Sequence, residues 1–291
     1  MKVKGKRLAG FLLSLALAFV MMPQLAFADD AVAVIGDTEY SSLEEAVTKA
    51  SAGDTIKLIA NTELSSTLTI NKKITLDLGE YTISSGFDTG DVYDNGEFVP
   101  LIDVTATGDL TLKGDGGKID AGDNSDGDDN AINVAGKLTV NEGATVNAYN
   151  YTIFVMDEGK VILDGGTLTS DAGRYAVEFY GNYEEASLTV DSGNITSGGI
   201  SVDSSYGAVI TIKGGTFSDA EGGDGFEFSL YSTYSNSTTL AITGGTFTGC
   251  AGEFISCYTK QEDVSITGGT FDTDVRDYVP EGCEVAEKGD G

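Results

Sequence analysis

Apolar and polar residues alternate in short bursts along most of the chain, and the same burst recurs. Leu138/Val140, Leu188/Val190, Ile210/Ile212 and Val264/Ile266 each enclose one small polar residue, Thr139, Thr189, Thr211 or Ser265. A period of two predicts strands with one buried face. A glycine-bearing corner follows each pair, where glycine can take positive φ. A second short strand then offers one inward residue: Val146, Leu168, Ile195, Phe217, Phe247 or Phe271. A third strand supplies an inward pair, as in Ile132/Val134, Ile153/Val155, Val177/Phe179, Ile200/Val202, Phe228/Leu230 and Ile255/Cys257.

Aligned on the corner glycines Gly79, Gly116, Gly143, Gly166, Gly193, Gly215, Gly245 and Gly269, the repeats are spaced by 37, 27, 23, 27, 22, 30 and 24 residues. Such spacing fits one supersecondary unit per repeat, with loops absorbing the differences. Three strands and three corners per unit predict an all-β fold, a single-stranded parallel β-helix whose coils occupy residues 61–275. The competing β-sandwich of antiparallel hairpins expects Asn-Gly or Asp-Gly turns and up-down pairing, not one motif repeated in the same sense.

An open solenoid end exposes core and strand edges, so a cap is expected. Residues 29–60 supply it. Ser42 to Ala50 reads as an amphipathic helix, placed at about 42–51, with Leu43, Ala46, Val47 and Ala50 on one face. Ser42 and Glu45 form a capping box, Gly53 marks the stop, and Ile56-Lys57-Leu58 begins the first strand. Residues 276–291 are expected to form an exit segment.

The first 28 residues read differently. Lys2, Lys4, Lys6 and Arg7 precede the apolar run Leu8 to Met22, and Ala26-Phe27-Ala28 has the form of a cleavage site. The apolar run is short for a membrane span. A signal peptide over residues 1–28 is therefore expected, with no membrane insertion after cleavage. No LPxTG-type motif points to covalent attachment at a wall.

Charge and composition then narrow the function. The chain carries 17 Lys+Arg against 46 Asp+Glu, a net charge of -29. Removing the leader takes away four basic residues and leaves 13 against 46, or -33. Such acidity repels phosphate backbones and anionic lipid, so neither nucleic acid nor a membrane surface is an expected partner. With no histidine, Ser-His-Asp and Cys-His machinery and His-ligated zinc are excluded. Three cysteines make no disulfide scaffold. Either Cys250 pairs with Cys257, leaving Cys283 odd, or Cys257 is a small buried apolar residue.

The stretch YSSLEEAVTKASAGDTIKLI, the later LTINKKITLDLGEYTI and the serial GGTF corners resemble the right-handed parallel β-helix, pectin-lyase-like superfamily. Within it, the chain is similar over about residues 34–288 to secreted surface proteins of Gram-positive gut bacteria. The resemblance implies a right-handed coil, a secreted or cell-surface location and a non-catalytic, adhesion-type module. Lyases of this superfamily use a positioned Arg or Lys, often with Ca²⁺. After the leader this chain has only Arg174 and Arg276, with no second basic residue patterned beside Arg174. Its hydrolases show an Asp pair and a GHG segment, and this chain has no histidine. Fold alone does not give function.

Three sets of residues carry candidate chemistry. If Val177 and Phe179 point inward, Glu178 points outward on one coil and Asp203 on the next, a carboxylate pair a glycosidase could use. The same face presents Phe154, Met156, Tyr180, Tyr231 and Tyr258 beside Asn133, Ser201, Ser229 and Ser256. Aromatic rings next to hydroxyls can stack on sugar faces and bind their edges, which makes Phe154, Tyr180, Tyr231 and Tyr258 the candidate glycan contacts. The alternative is that the rings stack on each other. Finally, Asp120, Asp123, Asp126 and Asp128 cluster in Gly114 to Ala131, as hard-cation ligands do. That segment fails the EF-hand template, with Gly122 in place of the first Asp and Asn133 in place of the terminal Glu. A solvated loop is the default there, Ca²⁺ the alternative, and no other cofactor is implied. The resulting expectation is a surface module that binds extracellular polysaccharide or a surface glycan. A polysaccharide hydrolase or lyase, or a spacer without ligand, are its rivals.

Overall fold

The alternation within each repeat is satisfied by parallel pairing between repeats. The computed structural model describes residues 31–92, 97–122, 129–171, 174–181, 186–204, 207–232, 238–257 and 263–287. Residues 1–28, expected from the sequence to be a signal peptide, lie outside them. Among the described residues no helix is long and apolar enough to cross a membrane.

The chain is all-β, with long sheets of parallel strands. One sheet has eight strands among the described residues, each beside its equivalent in the next repeat. They are Leu68–Ile70, Ile102–Val104, Asn130–Val134, Tyr151–Val155, Tyr175–Gly181, Gly199–Ser204, Phe226–Ser232 and Cys250–Cys257. The second, sixteen-stranded sheet collects the strands on either side of the glycine corners. Lys160–Thr169, Ser187–Thr196, Thr239–Thr248 and Val264–Phe271 run through the corner as one irregular strand each.

Registry follows the inward residues closely. Ile132, Ile153, Val177, Ile200, Phe228 and Ile255 are successive lateral partners, and so are Val134, Val155, Phe179, Val202, Leu230 and Cys257. On the other sheet Val146, Leu168, Ile195, Phe217, Phe247 and Phe271 form one column. Every inward side chain described in these columns is buried except Phe271, which is half-buried at the end. A one-residue slip would turn a whole strand inside out, so burial itself enforces the register. At the C-terminal end the column becomes a ring stack. Phe217 and Phe247 lie 4.4 Å apart at 9°, and Phe247 and Phe271 lie 4.7 Å apart at 5°.

The corner glycines divide their work. Seven of the eight aligned glycines have positive φ. In the Val161 repeat that conformation belongs to Gly165 (φ 92°), one residue before the aligned Gly166. Gly166 instead leaves room for its neighbour: a Cβ there would come within 2.5 Å of the Val140 side chain.

At the N-terminal side the helix forms as Leu43–Lys49, with Leu43, Ala46 and Val47 buried. Ser42 Oγ accepts the Glu45 N–H at 3.1 Å, so the Ser42 half of the capping box is made. Lys72 closes the other end by donating to the Val47, Thr48 and Ala50 carbonyls at 3.2, 3.4 and 3.0 Å. Before this helix, Ala33–Ile35 and Thr38–Tyr40 form an antiparallel hairpin that pairs onto Thr55–Leu58. A second antiparallel pair, Gly90–Val92 with Glu97–Val99, emerges between repeats. Neither hairpin belongs to the repeat, and the repeat pattern does not announce them.

At the C-terminal side Asp272 accepts from the Gly249 and Cys250 N–H groups at 2.6 and 3.2 Å. Val275 is buried against the core, and the Tyr278 hydroxyl donates to the Ile255 carbonyl at 3.2 Å. Cys250 and Cys283 are free, which corrects the proposed Cys250–Cys257 bridge. The reason is geometric. Cys250 pairs with Phe226 and Cys257 with Leu230 of the neighbouring strand, four steps apart there, or about 13 Å at 3.3 Å per residue, beyond disulfide reach. The Cys257 side chain lies outside the described part.

Candidate functional site

The outer face of the eight-stranded sheet carries one residue per strand in a single row. The row runs Thr69, Asp103, Asn133, Phe154, Glu178, Ser201, Ser229, Ser256, each in lateral register with the next. Flanking residues such as Ile132, Val134, Val177 and Phe179 fill the core, so alternation turns the row outward. Outward does not mean exposed. Asn133 is 5 %, Phe154 1 % and Glu178 7 % accessible, and Ser201 and Ser229 are equally buried. The row is the floor of a sheltered strip.

Aromatic side chains do part of the sheltering. Phe154 packs between Tyr151, at a centroid distance of 5.6 Å, and Tyr180, at 5.5 Å and 34°. This corrects the reading of Phe154 as a direct contact: it lies beneath Tyr180 as its support. Tyr180 and Tyr231 are themselves 50 % and 40 % exposed and stand in a second outward row, both in register with Asp203 between them. The Tyr231 hydroxyl and Ser256 Oγ lie 2.8 Å apart in a hydrogen bond. Met156 is half-buried. Tyr258 lies outside the described residues.

Glu178 and Asp203 occupy adjacent strands but are not lateral partners. Glu178 faces Ser201, and Asp203 faces Tyr180, a diagonal relationship. The Asp203 side chain lies outside the described part. Sequence reasoning missed a further polar group that feels the Glu178 charge, Tyr175. Between Tyr175 and Val177 the strand carries one residue more than its partner, whose Gly199 and Ile200 are adjacent. This bulge re-aims Tyr175, so that its hydroxyl donates to Glu227 Oε1 at 2.8 Å. Burial pushes the Tyr175 phenol up to about 12; a hydrogen bond with Ser229 opposes the shift, and the Glu227 and Glu178 charges add to it. The signal was the extra residue in Tyr175–Ala176–Val177, visible only once the strand partner is known.

Arg174 borders the strip, with its guanidinium 5.6 Å from the centre of the Tyr149 ring. The aspartates considered for calcium are placed elsewhere. Asp120 lies on the other sheet, where Lys118 Nζ approaches to 2.7 Å and Asn147 Nδ2 donates at 2.9 Å. Burial opposes its charge, but these two partners outweigh it and hold the carboxyl below its usual range. Asp123, Asp126 and Asp128 lie outside the described residues. Asp129 is buried and accepts from Thr89 Oγ1 at 2.9 Å. Among the described residues no three acidic, Cys or His side chains gather as a metal site.

A separate depression of about 410 Å³ lies where the strands leave this sheet, between Lys137, Lys160, Asp157 and Glu158. Its lining adds Ala106, Ala135 and Gly136 to these charged side chains and has no aromatic ring. Compared with protein-family models, curated proteins and solved structures, the chain matches none.

Proposed function

We propose that the chain is an exported right-handed parallel β-helix of the pectin-lyase-like type. In this reading it is a non-catalytic surface module at the exterior of a Gram-positive bacterium. It holds an extended extracellular polysaccharide along the outer face of the eight-stranded sheet. The observation that carries the reading is Tyr180. Half of this ring is open to solvent, although it rests on the buried Phe154 and shares a row with the exposed Tyr231. A braced ring bordered by Ser and Glu side chains suits an apolar sugar face with hydroxyls at its edge. Parallel repeats support the choice, because they present equivalent positions about every 4.8 Å along the ligand's length.

The test is retention of neutral and acidic polysaccharides by the full-length chain, with both phases examined by mass spectrometry. Intact polysaccharide should be retained, and Tyr180→Ala with Tyr231→Ala should weaken retention by about tenfold or more, the worth of two lost aromatic contacts. Shortened chains that disappear in Glu178→Gln would replace this reading with a polysaccharide hydrolase. Absence of both would leave a spacer.

A further inference from the structure

A corner two residues short opens a notch in the side of the coil. Where the chain leaves the eight-stranded sheet, Val134 reaches Lys137 through Ala135 and Gly136 alone. The corners before and after it, Thr105 to Gly108 and Met156 to Gly159, have four residues each. The short corner floors the depression of about 410 Å³, to which the earlier corner contributes Ala106 and the later one Asp157 and Glu158. That volume falls within the range of small-molecule sites, about 300–1,000 Å³.

Register sets the charges around the notch. Lys137 and Lys160 are lateral partners, so their side chains leave strands about 4.8 Å apart. Like charges opposite each other in a sheet repel. The acid on the other side of Lys137 in that row, Asp109, is turned to Lys73 at 3.6 Å. Asp157 and Glu158 line the same space, yet among the described residues Lys137 forms no ion pair with either. The Gly159 N–H donates to the Met156 carbonyl at 3.0 Å and closes the turn that carries both acids. In that turn Asp157 is the one non-glycine among the described residues with positive φ, 53°, a conformation that costs an L-residue energy.

Opposite charges that line one cavity without meeting suit a ligand that carries both. A pure anion between the lysines is repelled by Asp157 and Glu158, and a pure cation meets the reverse. A neutral sugar finds no ring on which to stack. We propose that the notch binds a zwitterion of the size of a short peptide with both ends free. Its carboxylate lies between Lys137 and Lys160, and its ammonium faces Asp157 and Glu158. This site is separate from the tyrosine-bearing strip and does not depend on the glycan reading.

Calorimetry on the full-length chain, with alanyl-alanine, its N-acetyl form and its C-terminal amide as probes, tests the assignment. The doubly charged peptide should bind about tenfold or more tighter than either blocked form, the worth of one lost charge-assisted contact. Lys137→Gln should erase the difference between free acid and amide while keeping the preference for a free amine. Asp157→Asn, which tolerates the same φ, should erase the preference for the amine and keep that for the acid. Lys213→Gln is the control, since Lys213 pairs with Asp191 at 2.8 Å away from the notch. If it weakens binding as much as Lys137→Gln does, the attraction is general and the site is overturned. Equal binding of the three peptides, or binding of none, overturns it as well. Tyr180→Ala should leave the peptide affinity unchanged, and a loss there would move the peptide to the strip and sink the notch. A melting curve for each variant confirms that the fold is kept.

Discussion

The Tyr175 hydroxyl donates to the Glu227 carboxylate across 2.8 Å, although 52 positions separate them in the chain. The contact exists because a single extra residue turns Tyr175 out of the core parity of its strand. Its phenol is raised above the ordinary value of 10 to about 12, so its stabilising contribution is complete below pH 10 and is lost as pH rises through 12. Tyr175→Phe should cost about 1 kcal/mol at neutral pH, the worth of one hydrogen bond to a charged partner that is partly solvated. In denaturant titrations the gap between the two proteins should narrow from pH 10 to 12. A gap that stays constant would mean that this phenol does not titrate there.

Asp120 and Asp103 should respond to acid in opposite directions. Asp120 is held below its usual value of 3.8 against the effect of burial, so its contribution is present above that pH and fades as pH falls further. Asn147→Ala removes one of its donors and should lower stability above that pH, with a deficit that shrinks as the pH falls. Asp103 is raised by burial, so its charge disfavours the fold at neutral pH. Asp103→Asn should therefore raise the folding stability at pH 7, by well under about 1 kcal/mol because solvent still reaches the group. The gain should vanish below pH 3.8.

Two corner glycines separate strain from collision. Gly116 has φ 97° with open space where a side chain would go. Gly143 has φ 77°, and a Cβ there would collide with the Gly114 carbonyl. Gly116→Ala should cost about 1 kcal/mol, the strain of a left-handed alanine. Gly143→Ala should cost more than about 2 kcal/mol, because backbone must move as well. Equal losses in chemical denaturation would show that the collision is relieved without cost.

The ring column predicts a gradient along its length. Phe247 is stacked on both faces and buried, whereas Phe271 is stacked on one face, meets Phe254 edge-on at 5.7 Å and is half-buried. Phe247→Ala should lose about 3–5 kcal/mol, and Phe271→Ala about half as much. Denaturant midpoints for the two variants measure this directly.

Much of this architecture was legible because alternation reports which way a side chain faces. The inward pairs from Ile132/Val134 to Ile255/Cys257 occupy the register that the sequence pattern implies. The same pattern is silent about what lies over an outward residue. Phe154 faces outward and yet is buried, because Tyr151 comes from its own strand and Tyr180 from the next. Bulges are equally hidden, since Tyr175 counts as an inward residue until its partner strand shows the extra position. Gly165 and Gly166 illustrate the finer limit: two adjacent glycines, one needed for its φ and one for its missing Cβ, look interchangeable in the chain. The hairpin Ala33–Tyr40 escaped because it is built once, and a search for recurrence passes over what does not recur.

Pairing between repeats also decides what a protease could achieve. A cut in the turn Glu221–Gly225 divides the chain between Thr216–Ser218 and Phe226–Ser232. Phe226–Ser232 is bonded to Gly199–Ser204, on the far side of the cut, and Thr239–Thr248 is bonded to both Val209–Ile212 and Thr216–Ser218. The two fragments should therefore travel as one particle on a sizing column and part only in denaturant. Nicked in this turn, the protein keeps its shape, because its integrity resides in the lateral bonds and not in the continuity of the thread.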